Sequence, residues 1–560
     1  MSDACARSTM ATSQLIRNLP IMPTNIHERR SRKKIYILLS ASMLVLACIG
    51  IKFLVADKLP LSLTAFREIL GGASDIGHLA NGSANREFQV ADGIRVPTLV
   101  GSHPLIPHPL PRLPMPDHPF LMDETASGGV HGDTYNSSTT PYAGPLGIAP
   151  IATYVPTRPG NEISMCTPML MTPGEKLASL CVGLGNPSQL VLFDPKNNFK
   201  VAAQVATTSK KMNFLEPGMG WYTGLDALGR AIVANPEQKV QIYSIVGSND
   251  QYKWSLEKEY DLSSALPDGQ PISDVHPDWK NNLWFSTMYG YVGYINQMTG
   301  KIERMKLPGG EVSGTALALN ADATFVLTTM ALYRFEIDDD GKIITRWRYE
   351  YGQSNSSGDL TAPTLFDEGK LISFGLNDDS HRFARVLVLK TDGAAMASSS
   401  RVVCEHPVFK EDRGYLDNTF VGYGKSLVIQ NNYGSKFFEP AASEPGLARV
   451  DVRPGYSGCN TIWENYSVSS KVPPKLSTAD GYVYQYTMKS GAGDKQDAFY
   501  LSALDFQTGK LASEIFIGSG KRLDSPMLSI NFLPGGVMVA GVRNGLVTLR
   551  DRPEATAGTR

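Results

Sequence analysis

The chain of 560 residues lacks the usual signatures of chemistry. It has no Gly-x-Ser-x-Gly elbow, no Walker loop, no His-Glu-x-x-His and no Cys-x-x-Cys pair. The common nucleophile, phosphate-loop and zinc arrangements are therefore missing. Charge of one sign is also missing, for the net charge is −1. That balance leaves no electrostatic footprint for nucleic acid. No long stretch after residue 75 keeps a helical period, which argues against a helical fold.

What is present is a repeated phrase. An apolar strand enters a tight turn and a second strand leaves it. The clearest copies are Tyr500–Leu511, with the turn Asp505-Phe506-Gln507-Thr508-Gly509-Lys510, and Val292–Ile302, with Asn296-Gln297-Met298-Thr299-Gly300-Lys301. Leu332–Ile343 is a third. Asp or Asn before the turn can bond backbone two residues on, and Gly supplies the positive φ the turn needs. Lys at the exit keeps an outer edge soluble.

Weaker copies put turns near 197, 248, 300, 341, 393, 455, 509 and 551, a mean spacing of 52 over the first seven. A period of this size, built of strand-like segments, predicts a β-propeller with four strands per blade. Eight turns predict an all-β, eight-bladed ring over 146–555, with seven blades the alternative. The last copy stops at Asp551, so a strand near 148–157 is expected to complete that blade.

Before the ring, Ile35–Ile51 is an unbroken apolar run, extended past Lys52 to Ala56. About 22 residues suffice to cross a bilayer. Six basic-rich positions, 29–34, precede it, and residues 1–34 carry +5 against −6 for the remainder. Positive charge stays cytoplasmic. The expectation is a single-pass signal anchor over 35–56, a cytoplasmic tail over 1–34, and a propeller held in the periplasm or outside the cell. A cleaved signal peptide is the alternative. Residues 57–145 then read as a juxtamembrane segment and a Pro-rich strap, with His103–Pro116 as a semi-rigid stalk or a strap laid over the ring. Gly128–Asn136 reads as an ordered loop or as a lid.

Cys166, Cys181, Cys404 and Cys459 follow the span and would meet an oxidising compartment. Four cysteines allow three pairings. Proximity favours Cys166–Cys181 and Cys404–Cys459, with four free thiols as the other outcome. Asn-x-Ser sequons stand at Asn81, Asn136, Asn355 and Asn465.

Three groups are candidates for chemistry. Asp274 and His276 share one face of a strand by the alternation of period two, and a His–Asp pair in a channel can act as general base. Asp417, Asn418 and Asn432 offer carboxylate and amide oxygens that suit Ca²⁺. Lys471 and Lys475 can meet an anion, or simply be solvated.

The phrases at Asp505–Lys510 and Thr299–Lys301 resemble those of the quinoprotein alcohol dehydrogenase-like propellers, the superfamily of PQQ-like repeats. Trp347 sits where those repeats often place Trp. Asn282–Thr287 is similar to streptogramin-lyase-type repeats. Ile429–Gly434 and Lys475–Tyr484 look like exported bacterial members of the superfamily. The resemblance covers about 160–551 and speaks for fold more than for activity. Quinone enzymes of that superfamily stack their cofactor between a Trp and a disulfide of adjacent cysteines, beside Ca²⁺. No two cysteines are adjacent here, which argues against a quinone-dependent oxidoreductase. The resemblance then implies the superfamily's other use, a binding or assembly platform for an envelope protein or a small-molecule ligand. The rival is a Ca²⁺-assisted hydrolase, lactonase or lyase in the channel, with Asp274 and His276 as its catalytic pair.

Overall fold

The computed structural model describes residues 76–552 except 82–103, 112, 114–116, 158–163, 184, 212–221, 249–250, 353–360, 378–381, 394–396, 436–442, 494–495 and 527–528. The expected membrane span at 35–56 lies outside the described residues. Among the described residues no helix is long and apolar enough to cross a membrane.

Eight sheets follow one another along the chain, seven of four antiparallel strands and one of five, in which four antiparallel strands are joined by the parallel strand Thr139–Thr140. Their first strands are Ser164–Met171, Gly224–Leu225, Ile272–Pro277, Ala318–Asn320, Thr364–Phe366, Val421–Tyr423, Lys475–Ser477 and Ile530–Leu533. Each sheet packs on the next in sequence, and the eighth packs back on Ser164–Met171 of the first. The ring is closed. This is an eight-bladed β-propeller, and the seven-bladed alternative is excluded. The eighth blade is completed by Pro150–Pro156, antiparallel to Gly545–Asp551, as the truncated final repeat predicts. That clasp ties the start of the ring to its end.

Alternation of period two builds the core. In Asn282–Thr287 of the third blade, Leu283 and Phe285 join the cluster shared with the second blade, while Trp284 joins the cluster shared with the fourth. A blade buries both faces, so strand interiors are apolar on both sides. The same division repeats at each junction, for example between the sixth and seventh blades through Val428, Leu447, Trp463 and Leu504.

The repeated turn is the same local machine in its two Thr-Gly-Lys copies. Asp505 Oδ1 accepts from Thr508 N–H and from Thr508 Oγ1, both at 2.7 Å. Asn296 Oδ1 accepts from Thr299 N–H at 2.9 Å and Thr299 Oγ1 at 3.0 Å. Gly509 and Gly300 follow at φ of 69° and 73°. Outer strands carry register breaks, between Leu256 and Lys258, between Val402 and Cys404 opposite Val388–Leu389, and between Thr461 and Trp463 opposite Arg449–Val450. Bulges there twist the exposed edge away from edge-to-edge pairing.

Both favoured disulfides are present, Cys166–Cys181 and Cys404–Cys459. The second joins the outermost strands of the fifth and sixth blades, Val402–Val408 and Cys459–Asn465.

The Pro-rich segment is a strap, and the free-stalk expectation is corrected. Leu105 N–H donates to Leu146 O, His108 N–H to Asp480 O and Leu110 N–H to Thr478 O. His108 Nε2 stands 2.8 Å from Asp505. Polyproline geometry leaves backbone groups without internal partners, and here the blade surface supplies them.

Candidate functional site

The channel of the ring is filled by its own chain. Residues 121–140 enter from the strap side and turn at Gly128–Gly132, where Gly128 N–H donates to Gly132 O. Backbone N–H groups of the inner strands grip this plug in order. Leu319, Leu365, Gly422 and Leu476 donate to the carbonyls of Thr134, Tyr135, Ser137 and Ser138 at 2.8–3.0 Å. Thr139–Thr140 continue as a parallel strand on Leu476–Ser477. On the other side, Leu225 N–H donates to Ser127 O, Met171 N–H to Ser127 Oγ and Asn531 Nδ2 to Ala126 O. Asn136 Nδ2 bridges Leu317 O and Pro363 O, both at 2.9 Å. Glycine permits the close fit: a Cβ on Gly224 would sit 2.0 Å from Gly128 O. Gly128–Asn136 is thus an ordered loop seated against the inner strands as part of the plug.

His276 and Asp274 meet under this plug. His276 Nε2 lies 3.2 Å from Asp274 Oδ1, and both side chains are buried. Asp274 also accepts from Val275 N–H at 2.8 Å and Leu317 N–H at 2.7 Å. Burial works against a charged His276, but the Asp274 carboxylate, its hydrogen bond and Asp123 outweigh it, and the ring is held above its ordinary value. His276 Nδ1 has no hydrogen-bond partner. A Cβ on Gly129 would come within 2.9 Å of His276 Cε1, so the plug lies directly on the ring.

The plug brings titratable groups of its own. Burial, then the neighbouring Asp133, push Asp123 up to about 8. Burial, then Lys475 and His276, push His131 down to about 3. His131 Nε2 bonds Thr419 Oγ1 of the sixth blade at 3.0 Å. Burial brings Lys475 down to about 8, against the pull of Asp133.

Asp417, Asn418 and Asn432 are brought together as a loop closure. Asn432 Oδ1 accepts from the N–H groups of Asp417 and Asn418, both at 3.3 Å. Asn418 Nδ2 donates to Gln430 Oε1 and Lys471 O. The amide oxygen offered to Ca²⁺ is therefore turned onto backbone. Among the described residues no group of three or more His, Cys, Asp or Glu side chains is placed to hold a metal ion. Burial first, then the carboxylates of Asp274 and Asp417, raise the Tyr222 phenol.

Lys471 and Lys475 are both buried, which corrects the solvated-loop expectation. Lys471 Nζ pairs with Asp524 at 2.8 Å, and Arg543 binds the other oxygen of that carboxylate. Sequence reasoning missed Asp123 altogether. The legible signal was the Gly128-Gly129 pair, which marks a close backbone approach, ahead of the first blade.

The fold and channel define a β-propeller whose axis is plugged in cis. No protein-family model matches the chain, and no curated protein sequence matches it. Solved structures are similar at low identity. Sqt1 of Saccharomyces cerevisiae has 10% identity and a TM-score of 0.47, covering 71% of this chain and 98% of its own. A putative 6-phosphogluconolactonase from Bacteroides fragilis has 11% identity and a TM-score of 0.38, covering 68% and 100%. BamB from Moraxella catarrhalis has 15% identity and a TM-score of 0.33, covering 57% and 93%.

Proposed function

We propose that this protein is a binding or assembly platform, held at a membrane by a single N-terminal span and displayed outside the cytoplasm. One observation carries the reading: residues 121–140 fill the channel and use the inner-strand N–H groups that face it. A channel enzyme would have to withdraw this plug and leave those donors unpaired, at a cost of about 1–3 kcal/mol each. The outer faces remain for partners. Two disulfides fit an oxidising compartment, which supports the extracytoplasmic address. The turn phrases support descent from the PQQ-like repeat superfamily, without its quinone site.

The test places a photo-reactive side chain at Ile106, 78% exposed on the strap, and another at Met298, 91% exposed on a third-blade turn. The full-length chain is then irradiated in its native membrane. A discrete protein adduct from one position and not the other is the expected result. No adduct from either, together with a lactonase or esterase activity that disappears in His276→Gln, would replace the platform by the channel enzyme.

A further inference from the structure

A groove of about 1100 Å³ lies between the strap and the eighth blade. Its lining comes from 104–107 in the strap, from 141–148 after the plug, and from the 534–537 hairpin. The walls are mostly apolar, and Ile106 stands exposed among them. They offer a ligand few amide donors. Pro104, Pro107, Pro141 and Pro534 have no N–H. Leu105 N–H already donates to Leu146 O, and Gly144 N–H to Asp480 Oδ2 at 2.8 Å. Two charged residues belong to the lining, Arg550 and Asp551. The Asp551 carboxylate is engaged on both sides: Oδ2 accepts from Leu146 N–H at 2.6 Å and Oδ1 from Ile148 N–H at 2.7 Å. The Arg550 side chain is exposed and has no ion pair or hydrogen bond among the described residues.

We propose that this groove binds a free fatty-acid anion, with the hydrocarbon chain along the apolar walls and the carboxylate on Arg550. Three features select that class. Apolar walls favour hydrocarbon, by up to about four-fold in affinity per buried methylene. A guanidinium without a partner suits a carboxylate, which it can hold through two parallel N–H groups. A peptide of similar polarity fits less well, because its carbonyls would lie desolvated along walls with few free donors, and a buried acceptor left unpaired is costly. A hydrocarbon chain has no such groups to satisfy. The inference goes beyond the platform reading and does not rest on it, because the ligand is a small molecule and needs no protein partner.

The experiment irradiates the full-length chain, held in lipid nanodiscs, with a decanoate that carries a mid-chain diazirine. Labelled peptides are mapped by mass spectrometry. Label within 104–107 or 534–537 is expected. Octanoate, decanoate, decanol and acetyl-Leu-Leu-Leu then compete, each at a measured free concentration. Decanoate is expected to compete better than octanoate, and about two- to five-fold better than decanol, the worth of an exposed ion pair. Arg550→Gln changes an exposed side chain. It should erase the preference for carboxylate over alcohol and keep the preference for the longer chain. No label in either stretch, the outcome if another segment of the chain or a partner protein fills the groove, overturns the proposal. So does label that excess decanoate leaves unchanged. A carboxylate preference that survives in Arg550→Gln overturns it as well, and so does stronger competition by the peptide than by decanoate.

Discussion

The indole of Trp463 lies against Gly509 of the next blade: a Cβ on that glycine would come within 2.4 Å of the ring. Trp463 Nε1 donates to Phe506 O in the same turn at 3.0 Å. Trp347 repeats the contact one pair of blades earlier, donating to Asp392 O at 3.0 Å. The repeated turn thus docks one blade on its neighbour as well as closing a hairpin.

A paired substitution separates those two jobs. Gly509→Ala adds overpacking against Trp463 to the strain of a positive φ, and is expected to cost about 2–3 kcal/mol. Gly300 has almost the same φ, but nothing lies within 4 Å of its Cβ position. Gly300→Ala is therefore expected to cost only about 1 kcal/mol, the backbone term alone. Chemical denaturation of both variants measures the difference. Equal losses would remove the docking role of Gly509.

Stability against pH should show two opposed buried terms in the plug. His131 is held down to about 3. The unfolded chain takes up this proton near pH 6.5, so the contribution is complete above pH 6.5 and is lost as pH falls toward 3. Asp123 is raised to about 8. The folded chain there keeps a proton that the unfolded chain gives up near pH 4, so its contribution is complete below pH 4 and is lost as pH rises toward 8. Between about pH 4 and 6.5 the two slopes oppose each other. Asp123→Asn should steepen the acid-side loss by up to about 1.4 kcal/mol per pH unit, and His131→Gln should flatten it. Urea midpoints measured from pH 4 to 7 check both signs. Parallel curves for wild type and Asp123→Asn would mean that Asp123 titrates normally.

The Cys404–Cys459 bridge should matter more than Cys166–Cys181. It closes 55 residues against 15 and joins two blades. Chain-entropy arguments give losses of about 4 and about 3 kcal/mol. Replacing each pair by serine and comparing denaturation midpoints tests the order. A larger loss from the Cys166–Cys181 pair would reverse it.

The ring was legible in the sequence because its signals are local. The Asp505 and Asn296 turns make their hydrogen bonds within six residues of chain, and the truncated repeat at Asp551 pointed to its partner strand at 150–156. The plug was not legible, because its partners are remote. Ser137 O meets Gly422 N–H and Ser138 O meets Leu476 N–H, contacts that carry no side-chain pattern. The alternation that placed Asp274 beside His276 is local as well. Burial of Lys471 and Lys475 was misjudged for the reason the plug was missed: their charge partners are far along the chain. Lys475 faces Asp133 of the plug, and Lys471 faces Asp524.

That last contact gives the sharpest energetic expectation. Asp524 is 1% exposed and stands between Lys471 Nζ at 2.8 Å and Arg543 Nη2 at 2.7 Å. The three residues come from the connection into the seventh blade, the connection into the eighth, and a hairpin of the eighth. Removing the carboxylate leaves two desolvated cations facing each other. Asp524→Ala is expected to cost about 3–5 kcal/mol. Asp524→Asn keeps the shape but loses the charge. Removing one cation as well, in Lys471→Met with Asp524→Asn, should recover part of the loss, because the repulsion goes with the charge. A double-mutant cycle by chemical denaturation measures that coupling. Strict additivity of the two substitutions would show that the three charges are solvated independently and do not act as one buried cluster.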